Sequence, residues 1–234
     1  MNKRKNNEIV LTIDLSTNSC KVRCYSQEGK IVSKNHCFYT SDSNFDNRVE
    51  VKGEKIWKEI CTAIKNISEK KYNIIGIGVA AQLGLAPVDE NNQPLGPVIT
   101  WMDKRANKQT KMIKDTMDNE YLYNNTGRKV NSELWAPKIL WLKKNRPYIY
   151  KKTYKFLSIK DFIINKLTGE FTIDETHASY TLLYNVVKRE WDKDIIENLN
   201  IDIEKLPKVY FSHEIVGYTN KKASQNTGLK ENIP

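Results

Sequence analysis

Between Glu8 and Ala81 the apolar residues change rhythm twice, and that change constrains the fold more than any other feature of the chain. Glu8 to Asp14 is a β-branched apolar run, and Lys21 to Ser26 alternates apolar with polar residues. Gln27-Glu28-Gly29-Lys30 is a turn signal, and Ile31 to Tyr39 alternates again, so a three-stranded meander is predicted. From about Glu54 to Ile67 the period becomes helical, because Ile56, Trp57, Ile60, Cys61, Ile64 and Ile67 recur at three- and four-residue spacing. Ile74 to Ala81 is then a continuous apolar run, the pattern of a strand buried on both faces.

The middle of the chain reads as helical. Helices are predicted over Lys104 to Met117, from Pro137 in a first turn to Asn145, from a capping box at Ser158-Ile159-Lys160-Asp161 to Gly169, and from Asn220 to Thr227 with Gly228 as the stop. With no repeat, low-complexity stretch or linker, one domain is expected, carrying a helical insertion between about residues 100 and 210. The order strand, strand, strand, helix, strand matches the start of a ribonuclease H-like or actin-like unit, a fold-level analogy that fixes no function.

Composition removes several classes. With 39% hydrophobic residues in 234, the chain can bury a sizeable core, yet no run approaches the roughly 18 apolar residues a membrane helix needs. No membrane association is expected. The basic N-terminus is followed only by the short apolar run Ile9 to Ile13, so no signal peptide is read, and none of the four cysteines forms a C-x-x-C pair. A reducing, cytoplasmic location follows. The net charge of +10 invites an anionic partner, but the basic residues are scattered, with the densest cluster at Lys3-Arg4-Lys5 and no nucleic-acid-binding signature beside it. Nucleic acid is therefore not expected as a partner.

Two segments can carry chemistry. In Asp14-Leu15-Ser16-Thr17-Asn18-Ser19-Cys20-Lys21, a tight turn aims backbone N–H groups and short hydroxyls at one point, a carboxylate at the strand end can hold Mg²⁺, and Lys21 adds positive charge. An ordinary polar hairpin capped by Asp14 has the same composition. The second segment runs from Ala80-Ala81-Gln82-Leu83-Gly84 to Trp101-Met102-Asp103-Lys104-Arg105. There an amide at a strand end, an aromatic ring, a carboxylate and a guanidinium can bind a polyol, the ring covering C–H faces and the polar groups taking hydroxyls. A core tryptophan beside a surface Asp-Arg pair accounts for these residues equally well. His177 and His213 have no nearby nucleophile, so no hydrolase triad is read.

From Ile9 to Pro234 the chain resembles the N-terminal domain of the FGGY family of carbohydrate kinases, and among them xylulokinases most. Asp14 to Lys21 is similar to the opening D-x-G-T-[ST]-[ST]-x-[KR] phosphate motif. Gln82-Leu83-Gly84-Leu85 falls at the G-Q-M-H-G station, and Trp101 to Arg105 matches W-x-D-x-R. Thr126-Gly127, Ala136-Pro137-Lys138-Ile139-Leu140-Trp141, Lys160-Asp161-Phe162, Leu167-Thr168-Gly169-Glu170 and Asp174 with Ala178-Ser179 follow in the family's order.

The resemblance implies an α/β, ribonuclease H-like domain of the actin-like ATPase superfamily, with a mixed sheet, flanking helices and a helical insertion. It implies ATP and Mg²⁺ as cofactors, with Asp14 near the metal and Thr17, Asn18 and Lys21 facing the phosphates. Gln82, Trp101, Asp103 and Arg105 would line or support the pocket of a small sugar or polyol. Ser16 stands where the motif has Gly, while Ala81 and Gly84 stand where xylulokinases have Gly and a ketose-binding His. In full-length relatives the general base is an Asp in a G-x-x-D strand, expected here beyond Pro234, and a C-terminal domain supplies the adenine pocket. On this reading residues 1–234 are the sugar-binding domain of a pentulose kinase. Alone they are expected to be inactive and to self-associate through the cleft face. A non-catalytic sugar-binding module and a ribonuclease H-like nuclease are the alternatives.

Overall fold

The fold was analysed in a computed structural model that describes residues 8–44, 47–68 and 72–234. The basic cluster Lys3-Arg4-Lys5 lies outside the described residues. Strands β1 (Glu8–Leu15), β2 (Ser19–Ser26) and β3 (Ile31–Phe38) form the expected meander, and short β4 (Asp42–Asn44) and β5 (Arg48–Val51) follow. Helix α1 (Gly53–Ser68) has Glu54 in its first turn and Lys65 in its last, each placed favourably against the helix dipole. Its residues Ile56, Ile60, Ile64 and Ile67 are fully buried beneath the sheet, each worth about 1.5–3 kcal/mol of gross burial.

Then come β6 (Asn73–Ala81), β7 (Gly84–Val88) and β8 (Val98–Thr100). The first sheet has the order β3-β2-β1-β6, with β1 and β6 parallel and the other pairs antiparallel, which is the mixed sheet expected. The remainder consists of α2 (Asn107–Thr116), α3 (Asn119–Thr126), α4 (Trp135–Asn145), α5 (Pro147–Lys152), β9 (Lys155–Leu157), α6 (Ile159–Thr168), β10 (Thr172–Asp174) and α7 (Glu175–Ser179). After these lie β11 (Tyr184–Asn185), β12 (Glu190–Trp191), α8 (Lys193–Asn198), β13 (Lys208–Tyr210) and α9 (Lys221–Thr227). Ser158 caps α6 by accepting the Asp161 N–H, Asn220 caps α9, and Gly169 and Gly228 take the left-handed conformation that stops each helix.

A second sheet, β4-β5-β8-β7-β9, separates two hydrophobic cores. Ala86, Val88 and Val98 face the core beneath the first sheet, whereas Leu85 and Ile99 face the core of the helical insertion. Every residue of β7 and β8 is buried. The apolar run Ile74 to Ala81, expected to be covered on both sides, is not. In β6, Ile75 is exposed and side chains built on Gly76 or Gly78 would meet open space, because among the described strands β6 lies at the sheet edge. Among the described residues no helix is long and apolar enough to cross a membrane.

Candidate functional site

Alternation along β1 buries Ile9, Leu11, Ile13 and Leu15 and turns Asp14 to the opposite face. Asp14 is paired in register with Lys21 of β2 and Ala80 of β6, and residues directly opposite on paired strands share a face. Among the described residues no hydrogen bond or ion pair engages the Asp14 carboxylate. The turn that follows is pinned from behind: the Ser16 N–H donates to Ser19 O (2.8 Å), the Tyr39 N–H donates to Asn18 O (3.0 Å), and the Tyr39 hydroxyl donates to Ser16 O (2.5 Å). Ser16 is not among the residues with positive φ, so the turn is built here without a glycine's freedom. No backbone bond of the described residues uses the Thr17 or Asn18 amide. The polar hairpin is thus one whose charged and N–H groups are left over rather than satisfied internally.

Gln82 sits where the chain leaves the first sheet for the second. Its N–H donates to Leu15 O (3.0 Å), which fixes it at the end of β1. Its Oε1 accepts from Thr17 Oγ1 (3.0 Å) and from Trp101 Nε1 (2.9 Å), while its Nε2 is buried with no partner among the described residues. Two donors on the oxygen leave the amide nitrogen as the group with spare capacity. Trp101 is 37% exposed and is not a core residue.

The other two members of that motif act from the interior. Asp103 is fully buried and accepts from Val49 N–H (2.7 Å), Arg105 N–H (3.0 Å) and Arg105 Nε (2.8 Å). Arg105 Nη2 pairs with Asp103 (2.6 Å) and Glu50 (2.5 Å), and the guanidinium lies 5.0 Å from the centre of the Trp141 ring. Burial works against this charge, but the two carboxylates outweigh it and raise the Arg105 pKa. The pair is therefore buried rather than superficial, and it closes the loop that presents Trp101. Lys138, 1% exposed, grips the same loop by donating from Nζ to Thr100 O (2.8 Å) and to Glu133 O (2.9 Å). Burial pushes its pKa down to about 8.

A third cluster carried no chemical role in the sequence. Lys160 pairs with Asp161 (2.7 Å) and Asp174 (3.3 Å), and Asp174 caps α7 by accepting the His177 N–H (3.0 Å). These residues line a cavity of about 650 Å³ between β6, α6, the corner of β10 and α7, and the segment from Phe211 to Gly217. The family stations quoted above marked Lys160, Asp161 and Asp174, but only the fold shows that they share one cavity. Among the described residues no group of three or more His, Cys, Asp or Glu is placed to hold a metal, so a two-metal nuclease centre has no ligand set there. A single carboxylate such as Asp14 still suits Mg²⁺ when phosphates supply the other ligands.

Comparison with known proteins follows this geometry. Residues 9–234 match the family model described as the FGGY family of carbohydrate kinases, N-terminal domain. A xylulose kinase of Staphylococcus xylosus is 28% identical over 227 residues, covering 96% of this chain and 47% of the relative. A gluconokinase of Bacillus subtilis (strain 168) is 28% identical over 229 residues, covering 96% and 44%. The crystal structure of xylulose kinase from Rhodospirillum rubrum superposes with a TM-score of 0.92 at 20% identity, over 97% of this chain and 47% of that one, which shows the fold. The chain spans about half the length of the curated relatives it matches.

Proposed function

The chain belongs to the FGGY family of carbohydrate kinases, and from that premise we propose that residues 1–234 are the sugar-binding half of an ATP-dependent kinase for a xylulose-like acceptor. The observation that carries the acceptor site is the Gln82 amide, whose oxygen is fixed by Thr17 and Trp101 and whose buried nitrogen has no partner. A buried donor left unmatched costs about 1–3 kcal/mol, so a ligand oxygen at that point recovers energy the free protein lacks. The exposed Trp101 ring offers a face for sugar C–H groups, and the buried Asp103-Arg105-Glu50 network holds its loop. Preorganisation of this kind removes ordering cost from binding.

The residues around the turn suit the phosphates of Mg-ATP in kind: a carboxylate at Asp14 and amides at Thr17 and Asn18 that no described residue engages, and the Lys21 ammonium on the same face. Mg-ATP supplies the γ-phosphoryl group for transfer. Asp14 would hold the cation, the two amides and Lys21 would meet phosphate oxygens, and Gln82 Nε2 would orient the acceptor hydroxyl. Because the Thr17 hydroxyl bonds Gln82, the turn and the acceptor amide form one connected unit. The general base, on a strand just beyond Pro234, and the adenine pocket, on a C-terminal ATP-binding domain, are both proposed to lie outside residues 1–234. The match to 47% of the xylulose kinase supports this division. The four free cysteines suit a reducing compartment such as the cytoplasm. A non-catalytic sugar-binding module shares the acceptor site and lacks the transfer.

Calorimetry of the chain with D-xylulose and other pentuloses is expected to give binding that Gln82→Leu weakens at least about tenfold. An acceptor panel giving no heat would overturn the acceptor site. ATP- and sugar-dependent ADP release is expected to be absent for residues 1–234 alone and to appear when the chain is continued with the remainder of a related xylulose kinase, from its G-x-x-D strand onward. Turnover by the 234-residue chain alone would refute the divided site.

A further inference from the structure

A second cavity, of about 410 Å³, lies at the end of β7 remote from Gln82. It is enclosed by the first turns of α1, the end of α6, α9 and the turn between β7 and β8. Gln82 and Asp89 bracket β7, and at about 3.3 Å per strand residue they stand roughly 20 Å apart. Asp14, Gln82 and Trp101 are not among the residues that line this cavity.

Two carbonyl oxygens of the lining are unmatched. Asn165, 2% exposed, donates from Nδ2 to Glu170 O (2.9 Å), which fixes the orientation of its amide, since the reverse would set two oxygens face to face. Its Oδ1 is buried with no partner among the described residues, and the same holds for Oδ1 of Asn92. Asn92 takes the left-handed conformation (φ 57°) on a turn that Asp89 holds by accepting the Asn91 and Gln93 N–H groups (2.9 and 2.8 Å). Lys166 ties that turn to α6 and α1, donating from Nζ to Asn92 O (3.3 Å) and pairing with Glu54 (2.6 Å). Both unmatched acceptors therefore sit on braced elements, and a buried polar atom without a partner recovers free energy when a donor reaches it.

Hydroxyl and ammonium groups can both donate there, and charge separates them. Glu54 and Glu90 in the lining are balanced by Lys166 and Lys222, and the Lys166 ammonium already occupies the Asn92 carbonyl, so a second cation would meet it. The remaining lining is rich in amides, with Asn91, Gln93, Asn220 and Asn226 beside Asn92 and Asn165. An amide both donates and accepts, as a hydroxyl does, and Trp57 and Phe171 add aromatic faces for C–H groups.

We propose that this cavity is a second binding site for a neutral polyhydroxylated ligand of monosaccharide size, whose hydroxyls donate to Asn165 Oδ1 and Asn92 Oδ1. The site is separate from the acceptor reading of Gln82 and does not depend on it.

D-Glucose and xylitol serve as probes, titrated into the ¹⁵N-labelled wild type, Gln82→Leu, Asn92→Gly and Asn165→Ala. The readout is the indole N–H resonance of Trp57, assigned with Trp57→Phe. At least one probe is expected to shift it saturably, with the same affinity in Gln82→Leu and about tenfold weaker affinity in Asn92→Gly and Asn165→Ala. Glycine suits the left-handed position of Asn92, so that variant keeps the turn and remains informative if Asn165→Ala does not fold. A shift that disappears in Gln82→Leu would overturn the second site and leave the acceptor reading standing. Unchanged affinity in Asn92→Gly would overturn the role of its amide oxygen. A saturable shift with methylammonium and none with the two probes would overturn the neutral ligand, and no shift with any of the three would overturn the site itself.

Discussion

The two sides of the proposed cleft are finished to different degrees. On the acceptor side, Trp101 stands on a loop held by Asp103, Arg105, Glu50 and Lys138, with every one of those charges paired or hydrogen-bonded inside the chain. On the proposed nucleotide side, Asp14 faces outward and, among the described residues, nothing engages its carboxylate and no backbone bond uses the Thr17 or Asn18 amide. Paired charges buried in the interior set geometry and, once one partner is removed, cost stability. Unpaired charges at a surface cost little and are available to a ligand. The difference separates a side whose charges are satisfied within this polypeptide from one whose carboxylate and amides are open to a ligand.

Substitutions can break that contrast in order of expected size. Arg105→Ala leaves Asp103 buried and unpaired, and a loss of about 3–5 kcal/mol in urea denaturation is expected. A loss below about 1 kcal/mol would show that the acceptor loop does not depend on the pair. Next comes Lys138, charged in both states below pH 8 and disfavoured as a cation only in the folded protein. Stability relative to Lys138→Met should rise by up to about 3 kcal/mol as pH climbs from the folded value near 8 to the ordinary 10.5, because the unfolded chain binds the extra proton over that interval. A flat difference would place the lysine in a wetter environment. Gln82→Leu should change stability by about 1 kcal/mol or less while weakening acceptor binding at least about tenfold. Smallest of all, Asp14→Asn should move stability by no more than about 0.5 kcal/mol. In an enzyme completed with an ATP-binding half, it should cut turnover at least about 100-fold. A stability loss there comparable to that of Arg105→Ala would erase the distinction between the two sides.

Much of the scaffold was legible because it is local. The meander, α1 and the caps at Ser158, Gly169, Asn220 and Gly228 are written in residues a few positions apart. The helix expected from Lys104 begins only at Asn107, because the Asp103 carboxylate accepts the Arg105 N–H and holds those residues in a turn. The burial of β6 was misread since an apolar run does not reveal which strand lies at an edge. The strands covered on both faces are β7 and β8, which follow it. In the site, the motif Trp101 to Arg105 showed its members but not their division of labour, which depends on Glu50, Val49 and Lys138 arriving from distant segments. Gly84 is equally opaque in sequence. A Cβ there would lie 3.1 Å from Val98 Cγ1, so this position packs closely within the second sheet and any side chain on it would require that methyl to yield.

The position of Trp101 gives the molecule an optical readout of its own. Its indole N–H rests on the Gln82 oxygen and its ring is open to solvent, whereas Trp57 and Trp135 are enclosed. Acrylamide should quench it before those two, and an occupant seated on the Gln82 amide should shield it, so steady-state fluorescence can report filling of the acceptor side without any label.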